Sequence, residues 1–195
     1  MSFWNFVLKG EVLPMRTNKM AEIVYCIGRI IASRQKNVEI AKSAHISPEA
    51  RICARKGKIE IGEKSTVAAN AALQGNIRLG KNCSVQYNTM IVGYGTKDDE
   101  KGAVKIGSNV RIAGNCMIIS ANHIFADREK PICEQGLDVA TITIEDDVWI
   151  AGGVHIMAGV TVGKGSVIGA GSIVTKDIPP YSVAVGSPAK VIKSR

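Results

Sequence analysis

From Ile144 onward a branched aliphatic residue returns at every sixth position, as Ile150, Ile156, Val162, Ile168 and Val174. Four residues after each stands a second small or aliphatic one: Val148, Val154, Val160, Ser166, Ser172 and Ile178. A helix needs apolar residues every three or four positions and a half-buried strand every two, so a strict six fits neither. It fits a solenoid in which each hexad is a short strand plus a bend and three hexads close one triangular coil. The first residue of each hexad then points inward and stacks on its equivalents above and below. No coil buries its own aliphatic face, so several coils together are the unit of stability.

The same spacing runs through Ile40, Ile46 and Ile52, then Ile61, Val67 and Leu73, then Leu79, Val85 and Ile91, then Ile106, Ile112 and Ile118. Register slips are expected at 56–58 and 75–78, and longer interruptions at 92–105 and 119–143. Aromatic residues make up only 5% of the chain against 20 glycines, as a narrow aliphatic interior requires. The expected organisation is an all-β solenoid over 38–186, an N-terminal segment over 1–37 and a basic C-terminal tail over 187–195. Long excursions forfeit stacking, so they point to function. The polar GYGTKDDEKG reads as a surface bulge, whereas the longer excursion opens with ANHIF and carries the chemistry.

Residues 17–34 place Met20, Ile23, Val24, Ile27, Ile30 and Ile31 at helical spacing, with Thr17 or Asn18 as N-cap. Two readings of this amphipathic helix stand side by side. It caps the open end of the solenoid, or residues 1–36, with Phe3, Trp4 and their basic side chains, rest on an anionic membrane surface. The run 21–32 contains Glu22 and Arg29 and is too short to span a bilayer. The five cysteines (Cys26, Cys53, Cys83, Cys116 and Cys133) are odd in number and form no C-x-x-C pair, which predicts a reduced, cytoplasmic setting. Cys83 and Cys116 fall at the fifth hexad position and are expected to act as small buried hydrophobes. The formal charge of +8 comes with no aromatic-studded basic face, so nucleic acid is not the expected partner.

The run VWIAGGVHIMAGVTVGKGSVIGAGSIVTKDIPPYSVAVGSPAKVIK resembles the C-terminal half of the hexapeptide-repeat acyltransferases, the family of galactoside, maltose and serine acetyltransferases. The resemblance implies a left-handed parallel β-helix, a homotrimer with active sites between neighbouring solenoids, and acetyl-CoA as co-substrate without a metal. The residues ANHIFADREKPI resemble the catalytic loop of the O-acetyltransferases that decorate capsule and lipopolysaccharide sugars. That makes His123 the general base, and neutral imidazole suits the removal of a hydroxyl proton during attack on a thioester. The same resemblance puts an oxyanion donor at the Gly152 N–H and the pantetheine arm along Gly152 and Ala170. It places the adenine end at Thr175 and Lys176, and phosphate at Lys190 and Lys193. Many galactoside-type relatives carry Arg at the last two positions, so the lysines here act as point charges rather than bidentate forks. Where relatives place a substrate-facing Asn, this chain has Gln86 and Asn88.

His45 and His155 each precede a core aliphatic and are expected to face outward. Three histidines would also suit a metal-dependent carbonic anhydrase on the same solenoid, but the close pair of such a site is missing. A non-catalytic scaffold would need neither the excursion at His123 nor the GSPAKVIK tail. The expected reaction is acetyl transfer to a hydroxyl of a cell-surface polysaccharide or lipid-linked glycan precursor. The alternatives are a small free acceptor and N-acetylation of an amino sugar. If residues 1–36 touch lipid, the protein works at the inner face of the membrane.

Overall fold

The computed structural model describes residues 19–195. Three sheets of six, eight and six strands form the sides of a prism. Their pairing is parallel throughout, except for the last pair of the second sheet. On the first sheet Ile40, Ile61, Leu79, Ile106, Ile144 and Val162 stand in one row. On the second the row is Ile46, Val67, Val85, Ile112, Ile150, Ile168 and Ala184. On the third it is Ile52, Leu73, Ile91, Ile118, Ile156 and Val174. Apart from Ala184 these are the hexad positions read from the sequence, and apart from half-buried Ile40 all are buried. A charge in such a column, as in Ile156→Asp, would cost several kcal/mol, since it could be neither solvated nor paired there.

In the hexads that no interruption follows, the fifth positions are buried as well apart from half-buried Ala50, and Cys83 and Cys116 are 2% exposed each. Where serine takes that position its hydroxyl is satisfied by the backbone. Ser166 Oγ donates to the Pro179 carbonyl at 2.8 Å and accepts the Ser182 N–H at 3.1 Å. The slip at 56–58 exists as a turn carrying extra residues between Ile52 and Ile61. The slip expected at 75–78 does not occur: Leu73 and Leu79 keep the six-residue step, and Gly75 pairs with Gly93 in unbroken register. The polar corner at Asn76 is absorbed by hydrogen bonds to the carbonyls of Thr96 and Asp99 rather than by an inserted residue.

The helix spans Lys19–Ser33 and touches the strands of the first coil on all three sides, so it lies across the open end. The N-cap candidates Thr17 and Asn18 lie outside the described residues. Its docked face differs from the one expected. Ala21, Val24, Tyr25, Gly28 and Ala32 are buried, whereas Met20, Ile23, Ile30 and Ile31 stay exposed. Close approach explains the difference, because a Cβ at Gly28 would sit 1.9 Å from the Ile46 carbonyl oxygen. Arg29 Nη1 donates to the Ala44 carbonyl at 2.8 Å, and the Tyr25 ring stacks on His45 with centroids 5.0 Å apart. His45 is therefore half-covered by the helix and not a free surface side chain. Burial, then the nearby Arg29 charge, lowers its pKa, with Glu22 opposing.

Residues 187–195 continue the second sheet. The strand Lys190–Ser194 runs antiparallel to Ser182–Val185 and ends the solenoid. Among the described residues no helix is long and apolar enough to cross a membrane.

Candidate active site

Both excursions leave the prism at the edge between the third and first sheets, one coil apart, and the lower supports the upper. Ser120, fully buried, donates its hydroxyl to the Gly102 carbonyl and accepts the Tyr94 N–H at 3.1 Å. Thr141 Oγ1 accepts the Gly102 N–H at 3.1 Å and donates to the Glu100 carbonyl at 3.1 Å. Gly102 has φ +80°, and a Cβ there would lie 2.0 Å from Val139 Cγ1. Glu100 also pairs with Lys105 on the first sheet. The GYGTKDDEKG segment is thus the base on which the second excursion rests, not merely a surface bulge.

On that base stands an antiparallel ladder of Ala121–His123 with Leu137–Val139, in which His123 faces Leu137. Between its strands the chain is tied to itself by Gln135. The side-chain oxygen of Gln135 accepts the Asp127 N–H at 3.0 Å, and its Nε2 donates to the carbonyls of Asp127 and Lys130 at 2.8 Å each. The imidazole of His123 is exposed. So are Ile124, Phe125, Ile132 and Leu137, with Phe125 at 74%. An ordered hairpin with this much uncovered apolar surface has the character of an interface.

The opposite edge of the third sheet, shared with the second, carries the other half of the expected site. Strand register puts Tyr87, Gly114, Gly152, Ala170 and Gly186 in one column along it. The N–H groups of Ala151 and Gly153 are bonded to the carbonyls of Ile168 and Gly114, whereas the Gly152 N–H makes no hydrogen bond among the described residues. The pattern repeats one coil on, where the N–H of Gly169 and Gly171 are taken and that of Ala170 is free. The N–H groups of Gly114 and Tyr87 in the same column are likewise unbonded among the described residues, so a row of unused donors about 4.8 Å apart, the spacing of neighbouring strands, runs along this edge.

Packing does not require glycine at 152. A Cβ there would meet nothing nearer than the Gly114 oxygen at 3.6 Å, whereas at Gly80, on the edge between the first and second sheets, it would sit 2.4 Å from the Gly107 oxygen. Gly152 is also absent from the positive-φ positions. The bare backbone at 152 leaves room for something outside the chain, as an extended donor lying along the edge requires.

Of the remaining expected residues, Lys190 and Asn88 stand at this edge, Lys193 on the second sheet behind it, and Thr175 and Lys176 at the far edge of the third sheet. Lys190 faces Val185, just before Gly186 in the column, and Lys193 faces Val183 farther back on the second sheet. Both are exposed, and neither is in an ion pair among the described residues. Thr175 and Lys176 follow Ile173–Val174 and stand across the third sheet from Ala170. Asn88 holds a left-handed corner, φ 55°, beside Tyr87, whose ring covers Gly114. Gln86 bonds through its backbone to Ile112. The three histidines do not converge within the chain: His45 lies under the helix, His155 on the third sheet beside Met117, and His123 on the hairpin. No group of three metal-ligating side chains occurs among the described residues. Sequence reasoning missed Ser120, Thr141 and Gln135, whose roles depend on contacts between two excursions or across one.

Residues 141–176 match the bacterial transferase hexapeptide (six repeats) family. The galactoside O-acetyltransferase of Escherichia coli is 44% identical over 118 residues, 60% of this chain and 54% of that protein. A hexapeptide-repeat-containing acetyltransferase of Vibrio cholerae superposes with a TM-score of 0.59 at 32% identity, over 69% of this chain and 72% of that one. An N-acyltransferase of Bacillus cereus, solved as a mutant with dTDP and coenzyme A, shares the fold with a TM-score of 0.68 at 21% identity, over 81% of this chain and 83% of that one. The chain spans about half the length of the curated relatives it matches.

Proposed function

Because this chain belongs to the hexapeptide-repeat acetyltransferases, we propose that it moves an acetyl group from acetyl-CoA to a sugar hydroxyl at a site shared by two subunits of a homotrimer. The observation that carries the reading is the bare edge at Gly152, with its unused N–H and the space left by the missing Cβ. The galactoside O-acetyltransferase similarity supports a sugar acceptor. The coenzyme A bound in the structurally similar N-acyltransferase supports the donor.

In the reaction, His123 accepts the proton of the acceptor hydroxyl as its oxygen attacks the thioester carbonyl. The new C–O bond forms, and the carbonyl electron pair moves to an oxyanion that receives the Gly152 N–H. Collapse re-forms the carbonyl and expels the CoA thiolate, which takes the proton back from the imidazolium. Charge and protons balance, and no acyl-enzyme is formed. The pantetheine arm lies along the backbone at Gly152 and Ala170, and the Ala170 N–H is offered to one of its amide carbonyls. Thr175 and Lys176 lie toward the adenine, and Lys190 and Lys193 toward phosphate as point charges. Gln86 and Asn88 face the acceptor.

The acceptor in this reading is a cell-surface polysaccharide unit or lipid-linked glycan precursor, handled in the cytoplasm. An amino-sugar acceptor, with nitrogen as the attacking atom, would use the same base. The test is acetyl-CoA consumption across free galactosides, amino-sugar nucleotides and lipid-linked glycan units. On the acceptor that is turned over, His123→Ala should lower kcat by roughly 10²- to 10⁴-fold with little change in the KM for acetyl-CoA. Wild-type turnover by that variant would overturn the mechanism.

A further inference from the structure

The N-terminal helix carries two apolar stripes, and docking onto the solenoid uses one. Ala21, Val24, Tyr25, Gly28 and Ala32 face the first coil. At roughly 100° per residue, Met20, Ile23, Ile27, Ile30 and Ile31 form a second stripe centred about 120° round the axis. Met20, Ile23, Ile30 and Ile31 are 54, 55, 53 and 42% exposed. A helix that only capped the solenoid would turn its large aliphatics inward and leave small or polar residues outside. Here the small residues are inside and four large ones are in solvent.

The surrounding charge selects the occupant. Residues 19–43 hold Lys19, Arg29, Arg34, Lys36 and Lys42 against Glu22 and Glu39, and Glu39 is already paired with Lys58 at 3.0 Å. None of the five basic groups is in an ion pair among the described residues. A second copy of the chain packed helix to helix would bring these cations against their own kind. An anionic lipid surface instead supplies phosphates for the cations and an acyl boundary for the stripe. The preceding sequence adds Phe3, Trp4, Phe6, Lys9 and Arg16.

We propose that the outward stripe of this helix is a docking surface for an anionic phospholipid leaflet, with Met20, Ile23, Ile27, Ile30 and Ile31 at the acyl boundary and Lys19, Arg34 and Lys36 at the headgroups. Capping and membrane contact are then two faces of one helix, not alternatives. The inference deepens the lipid-linked acceptor reading, since it holds the enzyme on the surface that carries such an acceptor, with Gly152 four strand spacings, about 20 Å, from the coil the helix covers. In a cyclic trimer the three stripes lie at one level, so a single leaflet engages all of them and avidity strengthens the contact.

The test is co-sedimentation of the full-length protein with phosphatidylcholine vesicles, with and without phosphatidylglycerol. The protein should sediment with the anionic vesicles, less with the neutral ones, and less as salt is raised. Ile23→Ser with Ile30→Ser should weaken partitioning by roughly tenfold or more while the melting temperature holds, because both side chains are already in solvent. Ile192→Ser, at a position 60% exposed on the last strand, should change nothing. His123→Ala should bind vesicles like the parent, and the Ile23/Ile30 variant should acetylate a soluble acceptor at the parent rate. Failure of the docking idea and failure of the enzymatic reading are thereby separated. Absence of binding to anionic vesicles by the intact protein, or unweakened binding by the Ile23/Ile30 variant, would overturn the proposal. A fall in oligomer mass on substituting Ile23 and Ile30 would do the same, assigning the stripe to a second copy.

Discussion

His123 and Gly152 stand on opposite edges of the third sheet. The hairpin bearing His123 leaves after Met117–Ile119, on the way to the first sheet, whereas Gly152 lies on the turn that enters the third sheet at His155–Ile156. One side of the prism separates them, six residues at roughly 3.3 Å each, or about 15–20 Å. At that separation His123 cannot act on a group held at the Gly152 N–H of its own chain. Two solenoids side by side, one edge of the first against the other edge of the second, would bring the pair together, and such head-to-tail contacts close into the ring proposed above as a trimer.

The two kinds of edge glycine should respond differently to a methyl group. Gly80→Ala forces a Cβ to 2.4 Å from the Gly107 oxygen and should destabilise the fold by about 1–3 kcal/mol through overpacking. Gly152→Ala meets nothing within 3.5 Å, so its melting temperature should stay at the parent value while the KM for acetyl-CoA rises. Thermal melts and steady-state kinetics on the two variants check both halves.

Gly102 is remote from the expected chemistry, yet Gly102→Ala should lower turnover. The new Cβ would collide with Val139 Cγ1, at 2.0 Å, and φ +80° adds backbone strain. The hairpin would shift off its base and carry His123 with it. Activity should fall while the solenoid keeps its far-ultraviolet circular dichroism. Unchanged kcat would show that the first excursion does not support the second.

The hexad arithmetic carried the prism, its three rows and its buried fifth positions, because one repeat constrains strand, bend and core together. It also located the excursion with His123. What it could not carry depends on contacts between parts that do not repeat. Which stripe of the helix docks follows from how closely Gly28 approaches Ile46, and the covering of His45 follows from that docking. The support of one excursion by the other rests on Ser120, Thr141 and Gly102, which in sequence look like ordinary small residues. The slip expected at 75–78 is absent because the count from Leu73 to Leu79 is six, and the polar corner at Asn76 only imitates an insertion.

His45 supplies a pH signature. Burial, then Arg29, holds its folded pKa below the ordinary value of 6.5, so the unfolded chain binds its proton first as pH falls. The stabilising contribution is complete above about 6.5 and is lost as pH drops from there through the folded value. Chemical denaturation at a series of pH values should show stability declining across that window. His45→Gln should flatten the decline, and an identical slope in that variant would remove His45 as its source.

Lys190→Glu with Lys193→Glu should raise the KM for acetyl-CoA more than it lowers kcat, because the phosphate contacts lie far from the thioester. Salt should weaken donor binding in the parent and much less in the variant. A KM equal to that of the parent would remove these lysines from the donor site.

Subunit mixing decides whether His123 of one chain meets Gly152 of its neighbour. His123→Ala lacks the base and Gly152→Leu fills the donor edge, so each homotrimer should be nearly inactive. When the two are unfolded together in equal amounts and refolded, a site pairing His123 of a Gly152→Leu chain with Gly152 of a His123→Ala chain is intact. Random assembly should then restore about a quarter of parental turnover, as a closed cyclic trimer with one site per interface dictates. No recovery in mixed trimers, confirmed by mass, would show that the two residues do not meet across the interface.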